Sequence, residues 1–92
     1  MKISLEDALN TKGIIIDIRD NESYKVGHIL SAIFIPSNEL IYHYDRYLNF
    51  SDNYFLYCEY GSISEDVARR LAILGYHTFS IIGGYHNYLL RG

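Results

Sequence analysis

The hydrophobic positions along this chain change period several times, and each change marks an element. Ile14-Ile15-Ile16-Asp17-Ile18 is a continuous β-branched run after Gly13. That is the pattern of a strand covered on both faces, as parallel sheets require. Ala32 to Ile35 reads as a second strand stopped by Pro36, Tyr54 to Tyr57 as a third, and Thr78 to Ile82 as the last. Between these runs apolar residues recur at helical spacing. Val67, Leu71 and Leu74 form one stripe over Ser64 to Leu74, with Ala68 and Ala72 allowing close approach to a sheet and Gly75 as the stop signal.

Shorter helical pieces complete the alternation. Ser4 is placed to cap a helix carrying Leu5, Ala8 and Leu9, with Glu6 and Asp7 in its first turn, where the helix dipole favours acids. Asp20 or Asn21 caps a second helix that Gly27 closes. Ser37 is the expected N-cap of a third, with Leu40, Ile41, Tyr44 and Leu48 on one face, and Tyr85 to Leu90 follow Gly83-Gly84 as the last. Strands alternating with helices over short connections predict one α/β domain over residues 1–92, with a mostly parallel central sheet of about four or five strands and helices on both faces.

Composition narrows the partners more than it narrows the fold. Ninety-two residues are enough for one core and too few for two. With 49% apolar and 21% charged residues and no repetitive pattern, the composition is that of a folding chain and argues against disorder. The formal charge is −3 and no basic run occurs, so nothing draws the chain to nucleic acid or an anionic membrane. Its apolar stretches are too short to span a bilayer and the N-terminal residues lack a signal-peptide core, so a cytoplasmic location is expected. One cysteine and four scattered histidines offer no zinc-ligand spacing, and neither a metal nor a cofactor is expected. The aromatic crowding from Tyr42 to Tyr47 reads as core and rim packing.

The single cysteine opens the candidate chemistry. Cys58 follows the third strand and begins Cys58-Glu59-Tyr60-Gly61-Ser62-Ile63-Ser64, which feeds a helix. In an open parallel sheet, ligands bind in the crevice beyond the carboxyl ends of the strands. A loop entering a helix there turns backbone N–H groups and the positive end of the helix dipole toward an anion. A thiolate is such an anion, and it is the nucleophilic form of cysteine. Gly61 suits a loop that curls around one sulfur, because glycine tolerates positive φ. Buried free cysteines are also common as inert small hydrophobes. From the local pattern alone both readings stand. A second polar oddity is Asp17, near the end of a buried strand, which needs Arg19 or nearby backbone N–H groups as partners.

Together these residues resemble a known family. Asp17-Ile18-Arg19, Glu22, Tyr24, Gly27-His28-Ile29, Ala32 and Ile35-Pro36 look like the first signature of rhodanese-like domains, D-x-R, E-[YF], G-H-I, G-A, I-P. The loop from Cys58 to Ser64 resembles their active-site loop, C-x-x-G-x-x-S, and Gly83-Gly84 with Tyr88 resembles the closing G-G-x-x-x-W. The three matches fall in the family's order and span nearly the whole chain.

The resemblance implies a sulfurtransferase or persulfide carrier of the rhodanese type, with Cys58 as the catalytic residue. Glu59, Tyr60, Gly61, Ser62, Ile63 and Ser64 would bind substrate, the amides of the loop cradling the sulfur and the Ser62 and Ser64 hydroxyls adding hydrogen bonds. Asp17, Arg19, Glu22 and His28 would be a structural signature that braces the sheet edge and loops. The implied partners are a small sulfur donor or a persulfidated protein, and a thiol acceptor such as a small thiol or a thioredoxin-like protein. Two alternatives stay open: a non-catalytic rhodanese-like binding or regulatory module, and a phosphatase or arsenate reductase. The first usually lacks the cysteine. The second has a loop one residue longer and a closing arginine, which neither Ile63 nor Ser64 supplies.

The chain departs from the family in charge. Many active members carry Arg or Lys in the loop, whereas this loop has Glu59 and is followed by Glu65-Asp66, with Arg69 and Arg70 as the nearest cations in sequence. Thiosulfate, a dianion, is therefore expected to be a poor donor. Ser31 in place of glycine and Tyr88 in place of tryptophan read as packing variations.

Overall fold

The computed structural model describes residues 2–91. In chain order the elements are β1 (Lys2–Ile3), α1 (Leu5–Asn10), β2 (Ile14–Asp17), α2 (Asn21–Val26), β3 (Ile33–Phe34) and α3 (Ser37–Tyr42). There follow α4 (Tyr44–Tyr47), β4 (Asn53–Tyr57), α5 (Ser62–Ile73), β5 (His77–Ile81) and α6 (Gly84–Leu90). The five strands form one sheet in the order β1-β5-β4-β2-β3, and each neighbouring pair is parallel. This is the α/β architecture that the alternation of runs predicts.

The sheet is covered on both faces because its strands are apolar at consecutive positions. Along β4 and just beyond it, Tyr54, Leu56 and Cys58 point to one side and Phe55 and Tyr57 to the other, the period-two alternation of a pleated strand. On the first side they pack with Leu40 of α3 and with Val67, Ala68 and Leu71 of α5. On the second they pack with Leu5 and Ala8 of α1, joined by Tyr85 and Tyr88 of α6. Fully burying each large side chain contributes roughly 1.5–3 kcal/mol, so the central strand is the most heavily anchored part of the sheet.

Several boundaries differ from the sequence reading, each for a physical reason. A strand absent from that reading, β1, pairs Lys2 with Ser80 and Ile3 with Ile81; two residues are too few to show a period. The expected strand from Ala32 to Ile35 shortens to Ile33–Phe34 on the sheet edge, where Ile33 is 47% exposed. Ser37 is not an N-cap. Pro36 takes that place, its carbonyl accepting from Leu40 N–H at 3.0 Å, and no side chain caps α3. The expected single helical face through Tyr44 and Leu48 is broken at His43, which separates α3 from α4. Ser4 does cap α1, accepting from Asp7 N–H at 3.1 Å, and Asp20 caps α2, accepting from Ser23 N–H at 2.8 Å.

Ser31 corrects the packing reading given to it. Its φ is +72° in the turn that Ala32 N–H closes on the Ile29 carbonyl at 2.9 Å. The position asks for a left-handed backbone, which glycine adopts freely and serine does at a cost. Tyr88, by contrast, is half-buried and packs against the core beside Tyr85, with ring centroids 5.9 Å apart.

Candidate functional site

Cys58 lies one residue past β4, the middle strand of the sheet, and is 4% exposed. The chain then turns through Glu59 and Tyr60 to Gly61, whose φ of +111° lets it sit as the N-cap of α5. This start is two residues earlier than the apolar stripe indicates, because a glycine's backbone makes the cap and no side chain signals it. The consequence is a tight loop around the sulfur. Gly61 N–H donates to Cys58 Sγ at 3.2 Å and Ser64 N–H at 3.3 Å. Cys58 Sγ in turn donates to Ser64 Oγ at 3.4 Å.

Of the six loop residues, two thus supply amides to the sulfur, a narrower cradle than amides from Glu59 to Ser64. Among the described residues the Ser62 hydroxyl makes no hydrogen bond to the sulfur; the side chains of Glu59, Tyr60, Ser62 and Ile63 are exposed, and of these Glu59 and Ile63 line the cleft over Cys58 while Tyr60 and Ser62 do not. Tyr60 leans on the ring of His86, centroids 5.2 Å apart. Ile63 turns into the cleft above Cys58.

That cleft, about 400 Å³, is lined by Arg19, Asp20, Ser37, Asn38, Glu59 and Ile63 over Cys58. Its charged wall comes from the connection after β2. Asp17 is fully buried and accepts from Arg19 Nη2 at 2.7 Å, from Arg19 N–H at 2.9 Å and from the Tyr57 hydroxyl at 2.7 Å. Arg19 lies over the Tyr85 ring, 4.1 Å from its centroid, and donates to the Gly27 carbonyl at 2.6 Å. Burial alone would weaken this guanidinium's hold on its proton, but the Asp17 carboxylate more than offsets that and keeps it charged. Burial, reinforced by Asp17, holds the Tyr57 phenol well above the ordinary phenol range. The remaining donor, Arg19 Nη1, lies 3.3 Å from Glu59 Oε2.

Sequence distance misplaces the cations. Arg69 and Arg70 both pair with Asp66 on the exposed face of α5, while Arg19, 40 residues from Glu59, stands in the cleft. Glu22 is exposed on α2, and His28 stacks on Tyr24 with centroids 3.9 Å apart and bonds the Tyr24 carbonyl; neither lines the cleft. The residue pattern does not mark Ser37 and Asn38; their place at the start of α3, in the connection that follows β3, is the signal that would, because such connections border the crevice of an open parallel sheet.

Gly83 and Gly84 lock the loop from behind. Tyr85 N–H donates to the Cys58 carbonyl and His86 N–H to the Glu59 carbonyl, both at 2.9 Å. Gly84 has φ of +59°, and a Cβ there would lie 2.8 Å from the Glu59 carbonyl carbon and oxygen. Only glycine lets the start of α6 approach this closely. Chemically, the arrangement presents one sulfur to a small cleft with N–H groups aimed at it. Among the described residues no group of three or more His, Cys, Asp and Glu converges to hold a metal ion. No helix of the described residues is long and apolar enough to cross a membrane.

Comparisons with known proteins agree on the family. A model described as the rhodanese-like domain matches residues 2–90. A tRNA sulfurtransferase of Pyrobaculum aerophilum is 33% identical over 75 residues, which are 82% of this chain and 15% of that protein, so the chain spans a small part of its length. The thiosulfate sulfurtransferase GlpE of Coxiella burnetii is 30% identical over 76 residues, 82% of this chain and 70% of that one. Among solved structures, a rhodanese-related protein from Thermoplasma volcanium superposes with a TM-score of 0.90 at 24% identity, over 99% of this chain and 92% of that one. A rhodanese-like domain protein from Staphylococcus aureus does so with a TM-score of 0.82 at 27% identity, over 94% and 89%.

Proposed function

The chain belongs to the rhodanese-like domain family, and from that footing we propose that it is a sulfurtransferase carrying sulfane sulfur on Cys58. The observation that carries this reading is the pair of amides, Gly61 and Ser64, aimed at one sulfur at the floor of a cleft. Such donors stabilise negative charge on sulfur, both in the attacking thiolate and in the thiolate that leaves when the persulfide is discharged.

The reaction divides into two displacements. In the first, the Cys58 thiolate attacks the outer sulfur of a donor; a new S–S bond forms, the donor's S–S bond breaks, and its electron pair leaves with the remainder, sulfite if the donor is thiosulfate. In the second, an acceptor thiolate attacks the outer sulfur of the Cys58 persulfide and departs as a persulfide itself, restoring the Cys58 thiolate. Neither step is a net oxidation, and neither requires a general base once the thiolate is present. The kinetic signature is ping-pong.

The charges of the cleft bear on the donor. Arg19 commits Nε and Nη2 to Asp17, Nη2 to Gly27 as well, and Nη1 to Glu59, and Asp20 and Glu59 are the other charged residues of the lining. No uncommitted cation of the lining is left for a sulfonate, so thiosulfate is a poor donor and a persulfidated protein or a less charged polysulfide a better one. The acceptor is a small thiol or a thioredoxin-like protein. With one cysteine in the chain, any disulfide formed in turnover is made with another molecule.

The test is the intact mass of reduced protein after exposure to thiosulfate and, separately, to polysulfide, with Cys58→Ser alongside. The expected result is a gain of one sulfur, faster from polysulfide, reversed by added thiol and absent from the variant. A sulfur gain that persists in Cys58→Ser, or no gain from any donor by a protein whose Cys58 alkylates readily, would overturn the reading.

A further inference from the structure

Behind Ser64 the structure places a second hydroxyl that the cysteine loop does not supply. Ser80 lies in β5, three residues ahead of Gly83, is 2% exposed, and its Oγ is 2.7 Å from Ser64 Oγ. Ser64, fully buried, is also 3.1 Å from the Gly61 carbonyl and 3.4 Å from Cys58 Sγ. Ser80 is 3.4 Å from the same Gly61 carbonyl, so its contact with Ser64 is the closer by 0.7 Å (3.4 less 2.7).

The protons of this group admit two arrangements. With the thiol present, Cys58 S–H donates to Ser64 Oγ and the Ser64 hydroxyl donates onward to the Gly61 carbonyl or to Ser80. When the thiol loses its proton to solvent through the cleft, Ser64 must turn its hydroxyl toward the sulfur to serve as a donor. It then needs a donor of its own, and Ser80 O–H at 2.7 Å is placed to be that donor. A hydroxyl that receives a hydrogen bond gives a stronger one, and the effect is largest in a buried chain that ends on an anion.

We propose that Ser80 is a positioning residue for sulfur transfer, acting through Ser64 to hold the Cys58 thiolate and to stabilise it again as the leaving group when the persulfide is discharged. This rests on Cys58 being the sulfur carrier. The charged groups facing the sulfur from the cleft are Arg19, Asp20 and Glu59, and the α3 and α5 side chains there, Ser37, Asn38 and Ile63, are neutral. On the β5 side Lys2 and Glu65 pair with each other at 3.5 Å. The Ser64–Ser80 pair is thus the polar link between the sulfur and the sheet.

The experiment titrates the thiolate by its ultraviolet absorbance and by its rate of alkylation, which needs no sulfur donor. In Ser80→Ala the midpoint of thiolate formation should move up by about 0.5–1 pH unit, the loss of roughly one hydrogen bond. Ser64→Ala should shift it at least as far, and adding Ser80→Ala to that variant should shift it no further. Ser80→Thr, which keeps the hydroxyl, should restore the profile. In the unsubstituted protein the Ser80 Cβ resonance should titrate with the Cys58 midpoint, so the test survives a variant that folds poorly. An unchanged midpoint in Ser80→Ala, an equal added shift in the Ser64→Ala background, or a flat Ser80 resonance would overturn the inference. Sulfur loading distinguishes the two readings: a protein that loads sulfur but shows no Ser80 effect loses only this inference, and one that shows the effect but never loads loses the sulfur-carrier reading.

Discussion

Arg19 Nη1 lies 3.3 Å from Glu59 Oε2, joining a nearly buried cation to the half-exposed acid beside the cysteine. Glu59 therefore does two things. It adds negative charge at the cleft, and it occupies the one guanidinium nitrogen that faces it. Replacing Glu59 with Gln removes the charge and weakens that hold. The thiosulfate kcat/KM should rise about fivefold, corresponding to roughly 1 kcal/mol of relieved repulsion. Glu59→Lys should raise it further. Turnover with a singly charged organic persulfide, whose terminal sulfur Cys58 can take directly, should change less, and equal changes with both donors would refute the electrostatic account.

The left-handed backbone at Ser31 predicts a stabilising substitution. Ser31 is exposed and its φ of +72° suits glycine, so Ser31→Gly removes strain without opening a cavity. The gain should be about 0.5–1 kcal/mol, a rise of a few degrees in Tm for a domain of this size. A thermal melt showing no rise would mean that the turn carries no strain.

Tyr57 links stability to alkaline pH. Its phenol is held above the ordinary range by burial and by Asp17, so the folded protein keeps a proton that the unfolded chain loses above about pH 10. The folded state then binds more protons, and stability falls as pH rises past that point. Tyr57→Phe should cost about 1–3 kcal/mol at neutral pH, because Ile29 N–H loses its 3.0 Å acceptor, yet flatten the alkaline decline. Urea unfolding at neutral and alkaline pH measures both, and an equally steep decline in the variant would rule out Tyr57 as its source.

Gly84→Ala should damage the site from behind. The added methyl would meet the Glu59 carbonyl, forcing the start of α6 away from the loop and weakening the bonds from Tyr85 and His86. A loss of stability on the order of 2–3 kcal/mol is expected, with slower sulfur loading even in the fraction that stays folded. Ala substitution at the exposed Tyr60 should leave stability nearly unchanged, which gives the control.

Much of this was legible before the structure, and the reasons are local. Ile14 to Ile18 and Tyr54 to Tyr57 betray doubly covered strands because consecutive apolar residues have no other economical use in so small a chain. Cys58 stands out because it is where an apolar run gives way to a polar loop. What stayed hidden is what depends on folding to exist. Nothing near Glu59 in sequence points to Arg19, and Ser80 looks like any polar residue in an edge-ward strand until Ser64 is found against it. Gly61 as a cap leaves no side-chain signal to read, and Ser37 failing to be one is decided by backbone angles and not by residue type.

The strand order has a consequence for how the molecule opens. The two outermost strands, β1 and β3, are two residues each, whereas the cysteine follows β4, flanked by β5 and β2. Amide hydrogens of the outer strands should exchange with solvent through local fraying, and those of β4 only when the whole domain comes apart. The loop that holds Cys58 thus hangs from the slowest-exchanging unit of the protein. Breathing at the margins leaves the Gly61 and Ser64 amides aimed at the sulfur, and that geometry is lost only with the fold as a whole.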